Sequence, residues 1–159
     1  MIGNFSTVTK DVVLGNNVKV FHYVNLYGCE IGDDTKIGSY VEVQAGAKIG
    51  KRCKISSHTF VCDGVTIGDN CFVGHGVMFI NDRNPMSVNS EGDLAGSNDW
   101  LMEKTSIGNN VSIGTGAVIM CGISIGNDSV VGAGAVVTKD VPNNCTVIGV
   151  PARINVRGY

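Results

Sequence analysis

The stretch from Ile31 to Ile55, IGDDTKIGSYVEVQAGAKIGKRCKI, places an aliphatic residue at every sixth position: Ile31, Ile37, Val43, Ile49 and Ile55. The step continues through Val61, Ile67, Val73 and Phe79 and resumes at Ile107, Ile113, Ile119, Ile125, Val131 and Val137. Upstream, Leu14, Val20 and Leu26 keep it, with one residue missing between Leu26 and Ile31. Two places before these positions a small or branched side chain recurs: Thr35, Val41, Ala47, Cys53, Thr59, Val65 and Cys71, then Val111, Ala117, Ile123, Ser129 and Ala135. Two inward residues flanking one outward residue is the alternation of a β-strand. The other three positions of each hexad are rich in Gly, Asn and Asp, which turn a chain cheaply where φ is positive. A strand and a corner in every hexad close a triangular coil every three hexads, and stacked coils pair as parallel strands. The predicted fold is all-β, a parallel β-helix of hexapeptide repeats.

The 159 residues suit one domain over 1–159, with one long loop at about 81–105 and a short C-terminal tail. Only 16% of residues are charged and the net charge is -2, which gives no support for a nucleic-acid or polybasic membrane partner. No apolar run approaches the roughly 18 residues needed to span a bilayer, and Met1 to Lys10 lacks a signal-peptide core. The expectation is a soluble cytoplasmic protein. Six cysteines (29, 53, 62, 71, 121, 145) show no metal or redox spacing. Cys53 and Cys71 fall on small inward positions, so the cysteines read as buried hydrophobes.

Every third hexad shares a face of the prism. One face carries Lys19, Lys36, Lys54 and Phe72. Another carries Asn25, Glu42, Phe60 and Met78 and, if the loop preserves phase, Val118 and Val136. An outward apolar stripe of this kind is expected to bury against another copy of the chain. On the edges, His22, Ser39, Ser57 and His75 form one column and Tyr23, Tyr40, His58 and Gly76 its neighbour, so all three histidines share one edge. Asn81 lies across the apolar face and opens the long loop, which contains Asp82, Arg83, Pro85, Asp99 and Trp100. A loop of this length in a compact repeat is usually functional. A threefold arrangement of apolar faces would set one subunit's histidine edge against the next subunit's Asn81 edge.

Two stretches carry a narrower likeness: Ser57-His58-Thr59-Phe60-Val61-Cys62-Asp63-Gly64-Val65 and Gly74 to Pro85, GHGVMFINDRNP. Together they resemble the hexapeptide-repeat N-acetyltransferases that act on nucleotide-linked 3-amino sugars, of both dTDP-3-amino-3,6-dideoxyhexose and UDP-3-amino-glucuronate types. The likeness continues through Gly132 to Pro142, GAGAVVTKDVP, and Gly149 to Arg153, GVPAR, segments shared by many acetyl-CoA-dependent relatives. The resemblance implies a left-handed superhelix, a homotrimer with sites between subunits, acetyl-CoA as co-substrate with no metal, and a role in surface-polysaccharide biosynthesis such as O-antigen or S-layer glycan. It also implies that Asn81 lies beside the reacting amine. The amine must shed a proton as it attacks a thioester, so His58 is assigned a base or substrate-orienting role, with His75 competing for it; some members have Asn at the His58 position, which leaves the departing CoA sulfur as an alternative proton acceptor.

His22, Tyr23, Tyr40, Asp82, Arg83 and Trp100 are the candidates for holding the nucleotide sugar, the aromatic rings by stacking. Gly114, Thr115, Ala133 and Gly134 are candidates to line the pantetheine arm, since small side chains admit a ligand to the backbone. Lys139 and Arg153 suit its phosphates. Galactoside and maltose O-acetyltransferases carry a Thr-His-Pro element where this chain has Ile80-Asn81-Asp82, so losing that histidine favours an amine over a hydroxyl acceptor. An O-acetyltransferase, a 4-amino-sugar N-acetyltransferase and a non-catalytic β-helix scaffold stay open. The 4-amino-sugar enzymes often carry an N-terminal nucleotide-binding domain, for which the ten residues before the first coil leave no room. A γ-type carbonic anhydrase, suggested by the spacing of His22 and His58, finds Asp63 where that family has its third histidine.

Overall fold

The inward positions of the repeat are the core. In the computed structural model, which describes residues 1–155, every sixth-position residue from Val20 to Val137 is buried. So are the small residues two places earlier. The polar ones among them are satisfied: Thr35 Oγ1 donates to the Gly50 carbonyl at 2.8 Å, Thr59 Oγ1 to Gly74 at 3.0 Å and Ser129 Oγ to Pro142 at 2.8 Å.

Strands of two or three residues form three sheets. The apolar sheet runs Thr7–Val8, Asn25–Leu26, Glu42–Val43, Phe60–Val61, Met78–Phe79, Val118–Ile119 and Val136–Val137. The lysine sheet runs from Lys19–Val20 through Lys36–Ile37, Lys54–Ile55, Phe72–Val73, Ser112–Ile113 and Val130–Val131 to Thr146–Ile148. The third sheet runs from Val13–Leu14 to Ser124–Ile125. Each strand pairs in parallel with its counterpart one coil away, giving a left-handed parallel β-helix. The long loop preserves phase, because Met78 is in register with Val118 and Phe79 with Ile119. No helix among the described residues is long and apolar enough to cross a membrane.

Three features differ from expectation. The residues expected before the first coil are themselves a coil: Thr7–Val8 pairs with Asn25–Leu26, Ile2 bridges to Val20, and the Met1 ammonium donates to the Val18 carbonyl at 3.0 Å. The six-residue step in fact runs on through Val8 and Ile2. At the other end the chain does not simply trail away as a tail. Arg153–Ile154 turns back antiparallel to Thr146–Ile148, with Val147 opposite Ile154, and the rest of the tail, 156–159, lies outside the described residues. Positive φ, finally, is not confined to Gly, Asn and Asp: Phe5, Tyr23, Tyr40, Arg52 and His58 adopt it too.

All six cysteines are free and five are buried. Burial pushes the Cys29 thiol up to about 11 and the Cys62 thiol up to about 12. Since the thiolate is the nucleophile, these two are expected to resist a disulfide reagent at pH 8 while the chain is folded. The half-buried Cys145 should react first, and full titration should require denaturant. Prompt labelling of Cys62 in the native protein would contradict the packed core.

Candidate active site

At the corner between the lysine sheet and the apolar sheet, each coil spends one residue in the left-handed region. That position holds Phe5, Tyr23, Tyr40 and His58 in succession, then Gly76, Gly116 and Gly134. A side chain there costs about 1–2 kcal/mol, which ring stacking at about 0.5–1.5 kcal/mol per pair helps to offset. The rings do stack: Phe5 on Tyr23 at 5.3 Å, Tyr23 on Tyr40 at 5.1 Å and Tyr40 on His58 at 4.9 Å between centroids. Both faces of Tyr23 and of Tyr40 are thereby occupied, so neither offers a ring face to a nucleotide base; only their edges and hydroxyls are open. His58 ends the stack.

Beyond His58 the edge becomes bare backbone. A Cβ placed on Gly76, Gly116 or Gly134 would meet nothing within 4 Å. Thr115 and Ala133 stand exposed beside these glycines. Gly114 is of another kind: a Cβ there would lie 2.4 Å from the Ala133 nitrogen, so it serves coil stacking and does not face the open groove. His75 sits where the two halves of the edge meet, with Nδ1 2.8 Å from Ser57 Oγ. If Nδ1–H donates to the hydroxyl, Nε2 is left as the basic nitrogen. His22 is engaged at the far end, its Nδ1 accepting the Asn4 N–H at 2.9 Å.

The opposite edge of the apolar sheet carries the loop. Its two ends close on each other through the Glu103 N–H, which donates to the Asn81 carbonyl at 3.1 Å. Arg83 makes a bidentate pair with Glu103, both contacts 2.8 Å, and also donates to the Cys121 carbonyl at 3.1 Å. The Arg83 hydrogen bonds hold the Glu103 carboxyl below the usual carboxylate range. Asp82 accepts the Asn84 N–H at 2.9 Å. Asp82 therefore spends this contact within the loop, and Arg83 ties the loop to its own far end and to the coil at Cys121.

The Asn81 amide is oriented by its partner. Nδ2 donates to the Asp63 carbonyl at 3.1 Å, and a carbonyl only accepts, so Oδ1 is the free end. Asn81 lines a cavity of about 240 Å³ with Tyr27, Gln44, Ala45, Asp63 and Trp100. Trp100 also walls a second hollow of about 320 Å³ that includes Asp82, Arg83 and Asp99. Tyr27 donates its hydroxyl to Glu42 Oε1 at 3.0 Å; burial first, then that hydrogen bond, raises the phenol above its ordinary value. Lys139 and Arg153 come together on a third cavity, of about 200 Å³, near the C-terminal hairpin.

Tyr27, Gln44, Asp63 and Glu103 are the residues that sequence reasoning passed over. A signal existed for one of them, since counting one coil back from Asn81 lands on Asp63. Glu103 carried no such signal, because the loop fold alone brings it to Arg83. Within one chain the histidine edge and the Asn81 edge stay apart, on opposite sides of the apolar sheet.

Residues 28–63 and 104–139 match the family model described as bacterial transferase hexapeptide (six repeats), and residues 57–78 match the hexapeptide repeat of succinyl-transferase. Together these segments span more than half of the chain. No curated protein matches it. Among solved structures, a hexapeptide-repeat containing acetyltransferase from Vibrio cholerae is 27% identical over 90% of this chain and 72% of its own, with a TM-score of 0.61. The same acetyltransferase complexed with acetyl coenzyme A, from Vibrio cholerae O1 biovar eltor, aligns at 25% identity over 91% of this chain and 69% of its own, with a TM-score of 0.53. The acetyltransferase domain of PglB from Neisseria gonorrhoeae shares the fold, at 21% identity and a TM-score of 0.61 over 96% of this chain and 55% of that one.

Proposed function

The chain belongs to the bacterial hexapeptide-repeat transferases, and from that premise we propose that it is an acetyl-CoA-dependent N-acetyltransferase of a nucleotide-linked 3-amino-3-deoxy sugar, of the 3,6-dideoxy type. The reaction would serve surface-polysaccharide biosynthesis in the cytoplasm. The observation that carries the reading is the state of Asn81: Nδ2 is bonded to the Asp63 carbonyl, which leaves Oδ1 as an acceptor on a residue that lines an open cavity, as an incoming amine requires. The donor half rests on the bare edge at Gly76, Gly116 and Gly134, with Lys139 and Arg153 for phosphates, and on the acetyl coenzyme A complex of the Vibrio structure.

In this reading the amine nitrogen attacks the thioester carbonyl as the free base. The new C–N bond forms first, giving a tetrahedral oxyanion; an imidazole of the histidine edge takes the amine proton, the oxyanion collapses as the C–S bond breaks, and the departing thiolate is protonated in turn. A backbone N–H of the bare edge would stabilise the developing oxyanion. Asn81 Oδ1 accepts an amine N–H and aims the lone pair. The apolar stripe of Phe60, Met78, Val118 and Val136 supports a homotrimer in which one subunit's histidine edge completes the next subunit's Asn81 cavity.

The test is thiol release from acetyl-CoA with dTDP- and UDP-linked 3-amino and 4-amino sugars and their hydroxyl counterparts. Turnover on a 3-amino sugar is expected. Release with none of the panel would return the chain to a scaffold role, and release with the hydroxyl sugars alone would make it an O-acetyltransferase. Asn81→Ala is expected to lower turnover at least tenfold, about 1.4 kcal/mol. Unchanged turnover would remove Asn81 from the site.

A further inference from the structure

The only charged side chain lining the Asn81 cavity is the Asp63 carboxylate. Its lining holds no Lys, Arg or His. Asn81 presents Oδ1, because Nδ2 is committed to the Asp63 carbonyl. Tyr27 commits its hydroxyl proton to Glu42. Asp63 contributes its backbone to the fold, its N–H donating to Gln44 Oε1 at 3.3 Å and its carbonyl accepting from Asn81. Its side chain takes part in neither ion pair formed among the described residues, Lys48 with Glu30 and Arg83 with Glu103.

Gly46 shows where that carboxylate lies. A Cβ on Gly46, whose φ is +81°, would come within 2.3 Å of Asp63 Oδ1. The carboxylate fills the space over the corner of the preceding coil. Two acceptors thus stand one coil apart beside an indole wall, half-buried and unmatched by any cation. Acceptors that are partly desolvated and unpaired favour a guest that brings donors, and most of all one that brings positive charge.

We infer that Asp63 is the specificity-determining residue for the acceptor: its carboxylate holds the ammonium form of the amino sugar, so that the aminated ring enters this cavity against Trp100 while the diphosphate stays outside it. This rests on the amino-sugar reading above. Asp63 selects and places the acceptor; the proton that makes the amine nucleophilic leaves to another group. A phosphate entering the same cavity would meet the Asp63 carboxylate and no cationic side chain, so like-charge repulsion disfavours it.

The experiment compares Asp63→Asn with the unaltered protein, using the 3-amino sugar nucleotide that the panel identifies and its 3-hydroxy counterpart, with acetyl-CoA varied separately. The unaltered protein should bind the amino sugar at least tenfold more tightly than the hydroxyl sugar. The Asn variant should bring that ratio down at least fivefold and raise KM for the amino sugar about tenfold, with turnover at saturation and KM for acetyl-CoA little changed. Asp63→Glu should restore part of the ratio, which a purely structural role would not predict. Should the Asn variant fail to fold, Asp63→Ser supplies the same comparison. An unaltered protein inactive on every amino sugar would overturn the functional reading itself. Activity with a ratio unmoved by substitution would overturn this inference alone.

Discussion

Replacing both His58 and His75 with alanine is expected to lower turnover at least a hundredfold while leaving the fold intact. General-base assistance by a positioned side chain contributes about 10²–10⁴-fold, and these two imidazoles stand where the ring stack gives way to bare backbone. Both are exposed, so their removal opens no core cavity. Each has a different support. His58 lies flat against Tyr40, and His75 is held at Nδ1 by the Ser57 hydroxyl. The single variants therefore apportion the role: the base is the one whose loss accounts for the double variant. Ser57→Ala should impair turnover if His75 is that base and leave it unchanged if His58 is. A double variant within tenfold of the unaltered protein would move proton acceptance away from this edge, to the departing thiolate or to solvent.

The second large effect is on the fold. Phe79→Ala is expected to cost about 3–5 kcal/mol, the usual range for emptying a buried aromatic site. Phe79 is 1% exposed and among the largest fully buried side chains. Its strand pairs on both sides, Met78 with Phe60 in one neighbouring coil and with Val118 in the other. Those ladders fix the spacing of the coils at about 4.8 Å, so the core has little freedom to close the gap. Guanidinium unfolding at one fixed protein concentration reads the effect, because any association of copies would add its own stabilisation. A loss below about 1.5 kcal/mol would mean that the cavity collapses, and that the coils are softer than their hydrogen bonds imply. Because coils contact only their neighbours, the damage should concentrate around the loop.

Much of the candidate site was legible from the repeat, since in a β-helix position along the chain converts directly into position on a face or an edge. The register of Lys36 with Lys54, and of Phe60 with Met78, follows from counting alone, whereas that of Met78 with Val118 needed the structure to show that the loop preserves phase. The histidine columns followed in the same way. Counting could not show what each side chain does once placed. Tyr23 and Tyr40 look like nucleotide platforms until their faces are seen stacked on each other and on their neighbours. Gly114 and Gly116 are indistinguishable in composition, yet one faces the next coil and the other faces open space. Arg83 reads as a ligand of the nucleotide sugar until the fold of the loop delivers Glu103 to it.

The six-residue step by itself determined the coil, the core and the placement of regular residues within each run on either side of the loop, because burial of one aliphatic residue per strand admits only one register. The step extends upstream of Leu14 as well, through Val8 to Ile2. The tertiary structure alone decided the loop between Asn81 and Thr105, the aromatic stack in left-handed corners, and the partners of Asn81 and Asp63. These depend on contacts between residues whose separation no period encodes, and on which end of an amide or which face of a ring is already taken. Repetition fixes a backbone that repeats; the chemistry lies where the chain stops repeating, and there only packing assigns each group its neighbour.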